Sequence, residues 1–278
     1  MKLSAKQFKQ SPEKRLTLLG MSGVGKTHLS KLLSEDDEWF HFSGDYRIGA
    51  EYLNSAILEN IKDRVKLDPW LGKLLDNESI GISNHITFDN LSCVSSFLGK
   101  VGNPQLGGLP IDEFIYRQEL YKEAETQTML DVPGFIHKAK KQGINNFIND
   151  AGGSLCEIDN ENVFKVLAEH TVIVYIKASM KNEETLKQRA QMHPKPMYYQ
   201  SDFLQEQLSI YTQECGVTYV AQIVPDDFVR WIFPRLLEYR KPKYAAIANK
   251  YGYTIDSEDL YQCQNSEQVF NLIHEALG

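Results

Sequence analysis

The sequence predicts an α/β fold in which helices flank a parallel sheet of five strands. Short apolar runs of strand length alternate along the chain with longer stretches whose apolar residues recur at helical spacing. One run, 171–176, is apolar at nearly every position, as a strand covered on both faces must be. Size agrees: 278 residues, 42 % hydrophobic and 24 % charged, suffice for one large domain, 1–278, and exclude a disordered or fibrous chain.

The first strand, 16–19, is compact and ends at Gly20. A helix follows from about Lys26, with Leu29, Leu32 and Leu33 on one face. The second strand is 39–42. The third, 146–148, runs into Asp150-Ala151-Gly152-Gly153. The fourth is the run at 171–176, expected at the centre of the sheet, and the fifth is 253–255, introduced by Gly252. A last helix starts near Ser266 as N-cap and carries Val269, Phe270, Ile273 and Leu277 on one face. Between the second and third strands lie about a hundred residues, too many for a plain loop. They predict a helical insertion over 50–140, broken by a Gly- and Pro-rich stretch at 99–110. A lid and a second insertion are expected within 180–235, the insertion ending at Pro234.

Acids outnumber bases 37 to 30, a net charge of -7, which argues against a general nucleic-acid binder. The run Lys138, Lys140, Lys141 reads as a solvated helix end. Four cysteines, at 93, 156, 215 and 263, form no CxxC pair, and the seven histidines show no metal-ligand spacing. Residues 1–15 lack the apolar stretch of a secretory leader, and the longest apolar run is far shorter than the ~20 residues a membrane helix needs. The expectation is a cytoplasmic protein with free thiols and no nucleic-acid or membrane partner. Oligomeric state is left open.

The strongest motif is Gly20-Met21-Ser22-Gly23-Val24-Gly25-Lys26-Thr27, which fits G-x-x-x-x-G-K-[ST] between a strand and a helix. Glycines let the backbone curl until its N–H groups point inward at phosphate oxygens, and the helix N-terminus adds partial positive charge. Lys26 suits the β- and γ-phosphates and the Thr27 hydroxyl suits Mg²⁺. The motif predicts a P-loop NTPase fold and a nucleoside triphosphate ligand. A GTPase reading fails: Asn249-Lys250-Tyr251-Gly252 lacks the Asp of a base-reading Asn-Lys-x-Asp. Asp131-Val132-Pro133-Gly134 follows a helical pattern and reads as a helix stop and a turn. The Leu-Ser-Gly-Gly-Gln signature of transporter ATPases does not occur.

Other features fall in the order of a small-molecule kinase. Ser43-Gly44-Asp45-Tyr46-Arg47-Ile48 follows the second strand, and Gly152-Gly153-Ser154 follows the third. After the fourth come Arg189 and Lys195-Pro196-Met197, then Arg240-Lys241-Pro242-Lys243-Tyr244, Ala248 and Tyr253-Thr254-Ile255-Asp256. In these positions about half the chain resembles the shikimate-kinase-like P-loop kinases. The resemblance implies an Mg·ATP-dependent phosphotransferase, with Arg189 as a lid arginine, Gly152 and Gly153 as a turn touching the acceptor, and Arg240 gripping it. The sequence departs from that pattern at Ser43, where the family has the first of two Asp, and at Ser154, where it has a third Gly. The family's Phe-Arg-x-x-Glu is echoed only by Tyr116-Arg117-Gln118-Glu119, with the acid one place early. These departures point away from shikimate itself.

From the residues themselves, Asp45 at a strand end is the candidate to accept a proton from an attacking hydroxyl. Asp150 is the candidate acid beside the loop for Mg²⁺. Arg189 is the candidate to neutralise charge on the transferred group, and Arg47 and Arg117 are further acceptor candidates. The expected reaction is transfer of the ATP γ-phosphoryl group to a small hydroxylated metabolite. An ATPase that regulates a protein partner, a nucleotide-sensing scaffold, and GTP in place of ATP stay open.

Overall fold

A computed structural model describes residues 2–34 and 38–278. After a short helix α1 (Ala5–Gln10) come β1 (Arg15–Leu19), α2 (Lys26–Leu33) and β2 (Trp39–Ser43). A run of helices follows: α3 (Gly44–Arg47), a π-helical turn Ile48–Tyr52, α4 (Asn54–Val65), α5 (Pro69–Asp76), α6 (Ser92–Leu98), α7 (Ile111–Leu130) and α8 (Val132–Lys141). The chain then returns to the sheet through β3 (Asn146–Asp150), α9 (Glu161–His170) and β4 (Val172–Lys177). It closes with α10 (Met180–Met192), α11 (Ser201–Cys215), α12 (Pro225–Tyr251), β5 (Gly252–Asp256), α13 (Ser257–Gln262) and α14 (Ser266–Ala276).

The five strands form one parallel sheet in the order β2-β3-β1-β4-β5. With the glycine-rich loop leaving its middle strand, this is the P-loop NTPase architecture. The centre is β1, where Leu16, Leu18 and Leu19 are wholly buried, and β4 lies one place off centre. Burying such a side chain contributes roughly 2 kcal/mol. Three polar side chains at the sheet are tied together: the Thr17 and Thr171 hydroxyls are 2.8 Å apart, and the Asn149 amide donates to Thr17 Oγ1 at 3.2 Å. The last helix is capped by Asn265, one residue before the expected Ser266, and its side chain accepts from the Gln268 N–H.

Outside the sheet, two further apolar cores form. One gathers Ile48, Leu53, Ile57, Val94, Phe97, Tyr121 and Tyr198 from the π-helical turn and the residue after it, α4, α6, α7 and the chain after α10. The other joins Val101, Leu109 and Phe114 to Phe203, Leu208, Ile223, Phe228 and Ile232. The Gly/Pro-rich break at 99–110 therefore packs on the chain around α11 and α12, and the Asn103 N–H donates to the Ile223 carbonyl at 2.8 Å. The two segments expected as separate insertions share one core.

One expectation is corrected and another narrowed. The second insertion does not end at Pro234: α12 runs unbroken through Pro234 and Pro242. A proline cannot bond the carbonyl four residues back. Here the Arg230 carbonyl accepts instead from Gln191 Nε2 of α10 at 3.1 Å, while Phe228, Ile232, Leu236 and Tyr244 bury the helix on both sides of the break. The helix does stop before Asp131, but the turn expected there is that one residue. It joins two helices, with Pro133 in the first turn of α8, where its missing N–H costs nothing.

Among the described residues no helix is long and apolar enough to cross a membrane. The four cysteines are free, and burial pushes the Cys156 thiol up to about 12, which makes it a core residue without nucleophilic character.

Sheet closure makes a direct prediction. Gly252 starts β5 where an added Cβ would collide with the main-chain oxygen of Ile173 on β4. Gly252→Ala should cost about 1–3 kcal/mol of overpacking and lower the thermal midpoint by several degrees. An unchanged midpoint would contradict this packing.

Candidate active site

Three neighbouring parallel strands end on the same edge of the sheet, and that edge collects the site. The register pairs Leu18 of β1 and Ser43 of β2 each with Asp150 of β3. The loop after β1, Asp45 just after β2, and Asp150 at the end of β3 are thus brought side by side although they lie far apart in sequence.

The loop has the curled backbone its glycines predict. Gly20 sits at φ +143°, and a Cβ there would lie 2.7 Å from the Ile176 carbonyl oxygen, so only glycine fits. Gly23 and Gly25 also have positive φ, and Gly25 caps α2. Val24 contributes backbone, its side chain being buried in the core. Lys26 is buried, and its ammonium donates to the Gly20 and Met21 carbonyls at 2.8 and 3.2 Å. Thr27 Oγ1 donates to Asp150 Oδ2 at 2.9 Å. The residues expected at Mg²⁺ therefore already touch.

Ser22, Gly23, Asp45, Gly153, Arg189 and Arg240 line one cleft of about 600 Å³. A second hollow of about 440 Å³, between Lys66 and Asn77, shares no residue with it. Asp45 is exposed to water where it lines the cleft. Desolvation raises its carboxyl above the ordinary value, Lys26 pulls it down, and Asp150 raises it further. Arg189 projects from α10 over the loop: its Nη1 lies 3.6 Å from where a Cβ on Gly23 would be. The Gly152-Gly153 turn is tight because two protein groups crowd it. A Cβ on Gly152 would strike Glu125 Oε1 and come within 3.3 Å of Asp45 Oδ1, and one on Gly153 would lie 2.8 Å from the Ser22 nitrogen. The close approach expected toward a ligand is made here to the P-loop itself.

The acceptor arginines are not free. Arg47 lies outside the cleft lining, where Nε donates to Asp131 at 2.9 Å and Nη1 to Glu51 at 2.9 Å. Arg117 is buried away from the cleft, donating to Glu113 at 2.7 Å and to the Phe97 carbonyl at 2.5 Å. Arg240 does reach the cleft wall, but its guanidinium is bonded to Glu157, to the Gly153 carbonyl at 2.8 Å and to the Tyr198 carbonyl at 2.8 Å. Each of the three arginines has a partner inside the protein; Arg47 and Arg117 lie outside the cleft lining and Arg240 within it.

Two buried acids were missed: Glu157, which pairs with Arg240, and Glu125. Glu125 of α7 is wholly buried beside the Gly152 turn, accepts from Ser154 Oγ at 2.8 Å, and leaves Oε1 without a partner. Burial raises its carboxyl to about 8; the Ser154 bond lowers it, nearby Asp45 raises it, and Arg240 lowers it. Its neighbour Tyr121, one helical turn back, lines the cleft. The aromatic-base-x-x-acid spacing sought at Tyr116 is met in full at Tyr121-Lys122-Glu123-Ala124-Glu125, five residues on. That exact spacing was the available signal.

The elevated Glu125 carboxyl fixes a pH dependence. Unfolded, the group ionises near 4.5; folded, it stays neutral to about 8. Its contribution to stability is complete below the lower value, falls as pH rises between the two, and is lost beyond the upper. Glu125→Gln should flatten the fall of the thermal midpoint across that window and raise the midpoint above the wild-type value at its alkaline end. Parallel wild-type and variant profiles would contradict a buried neutral Glu125.

No family model matches the chain, and no curated protein matches it. Among solved structures, the shikimate kinase of Bacteroides thetaiotaomicron is similar at 16 % identity, covering 95 % of this chain and 98 % of that one with a TM-score of 0.43. The shikimate kinase of Acinetobacter baumannii, solved with shikimate, is similar at 16 % identity, with 93 % of each chain covered and a TM-score of 0.40. Strand order and loop geometry, rather than these distant likenesses, make the chain a P-loop protein.

Proposed function

We propose that the protein is a P-loop kinase that transfers the γ-phosphoryl group of ATP to a hydroxyl of a small acceptor. The observation that carries the reading is Asp45: a carboxylate with raised basicity in the lining of a cleft that also holds the loop and Arg189. A plain nucleotide-binding loop needs neither the base nor the room beyond it.

The loop N–H groups and the positive end of α2 would hold the polyphosphate. The Lys26 ammonium would exchange its two loop carbonyls for β- and γ-phosphate oxygens. Thr27 and Asp150 fit Mg²⁺, since they offer hard oxygen donors 2.9 Å apart, and this ion draws the rest of its shell from water and phosphate. When bound, it would neutralise charge on the β- and γ-phosphates. The acceptor oxygen forms a bond to the γ-phosphorus as the bond from that phosphorus to the β–γ bridging oxygen breaks. ADP departs with the electron pair, and the hydroxyl proton passes to Asp45. Arg189, exposed on the lid segment above Gly23, would stabilise the charge spread over the transferred group. The apolar segments on the acceptor side would shield the reaction from water.

Incubation with radiolabelled ATP, Mg²⁺ and a panel of small alcohols tests this. Wild type should label an alcohol, Lys26→Ala should lose nucleotide binding, and Asp45→Asn should bind nucleotide while transferring about 10²–10⁴-fold more slowly. Label released only as phosphate whatever alcohol is added, or transfer indifferent to Asp45→Asn, would refute the kinase reading.

A further inference from the structure

An enzyme that picks an anionic acceptor needs a free, fixed cation where the acceptor's anion sits. Three arginines near this cleft have the composition for that task, and each is already neutralised. Arg47 is held by Asp131 and Glu51, and Arg117 by Glu113. Arg240 is the telling case, because it alone reaches the cleft wall. Its guanidinium faces the fully buried Glu157 carboxylate. That internal carboxylate occupies the position on the fork that a ligand carboxylate would take. The Gly153 and Tyr198 carbonyls fill the other two directions.

The rest of the cleft lining is mostly apolar, with the Ser95 and Ser154 hydroxyls and the His193 ring set among it. Leu98, Tyr121, Met197, Tyr198 and Phe233 supply the apolar walls, and Asp45 is the carboxylate of the lining. The remaining cations of the cleft, Arg189 and Lys195, both belong to the lid segment and are exposed. Arg189 lies over Gly23, on the polyphosphate side. Lys195 is a hydrated point charge on a flexible stem and offers no planar fork. A carboxylate entering the acceptor half would shed its water against apolar walls and meet the Asp45 carboxylate with no guanidinium free to pair it.

We propose that the acceptor is an uncharged alcohol with an apolar body, and that the Arg240–Glu157 pair is what removes hydroxy acids from the substrate range. This rests on the kinase reading above.

Matched probes separate the alternatives. Full-length protein is saturated with Mg²⁺ and a non-hydrolysable ATP analogue and titrated with 3-hydroxycyclohexanecarboxylate, its carboxamide and its methyl ester. A second set uses 3-(hydroxymethyl)benzoate with the matching amide and ester. Thermal shift reads binding, and ADP release reads turnover with ATP. The neutral members should bind about tenfold or more tightly than the acid of the same skeleton. Acids that bind as well as their neutral partners, or a panel with no neutral binder, would overturn the proposal. Glu157→Gln, by freeing the Arg240 charge, should shrink the preference; the wild-type comparison decides the matter even if that variant fails to fold. Stabilisation by the nucleotide alone is recorded in the same plates. Its presence alongside a preference for acids sinks only the acceptor proposal, and its absence sinks the kinase reading with it.

Discussion

The site depends on the bond between Arg240 and Glu157. From the middle of α12, the Arg240 guanidinium reaches the carboxylate after β3, the Gly153 carbonyl, the Tyr198 carbonyl between α10 and α11, and the Met21 sulfur in the loop at 3.7 Å. Tyr244, one turn along the same helix, donates a second bond to the Gly153 carbonyl at 2.7 Å. Burying two charges brings little net stability over apolar packing, but removing one partner strands the other and costs about 3–5 kcal/mol. The pair therefore acts as a geometric constraint. It fixes the turn after β3 against the loop after β1 and sets the width of the cleft between them.

With that turn fixed, the chemistry divides along the sheet edge. On the β1 and β3 side, Lys26, Thr27 and Asp150 form a compact polar group suited to phosphate and a hard cation. On the β2 side, Asp45 faces apolar walls supplied by the long helical segments. A carboxylate placed on that boundary is made more basic by its surroundings and is still close enough to feel Lys26. Glu125, behind the Gly152 turn, adds an acid kept neutral by burial, so the floor of the cleft carries less negative charge than its composition suggests.

The sheet was legible because each strand is a short apolar run bounded by glycine or by a polar turn, and because the P-loop ties one strand to one helix by a fixed spacing. Ser22, Gly23, Asp45, Gly153, Arg189 and Arg240 meet in one cleft because parallel strands release their loops on one edge. What sequence could not reveal was pairing. Arg47 and Arg240 look like ligand-binding arginines until Asp131 and Glu157, each more than eighty positions away, arrive beside them. The continuity of α12 was hidden by Pro234, whose cost is offset by Gln191 on another helix. Glu125 escaped notice because an acid at that spacing on a helix reads as solvated surface until the third dimension buries it.

The central claim is that the curled backbone after β1 exists to hold a triphosphate. Isothermal titration calorimetry of the well-folded full-length chain, with a non-hydrolysable ATP analogue and Mg²⁺ at two temperatures, tests it most directly. The account predicts one-to-one binding that disappears when the cation is chelated and the analogue is replaced by its nucleoside. Absence of heat at both temperatures with every purine triphosphate would contradict it.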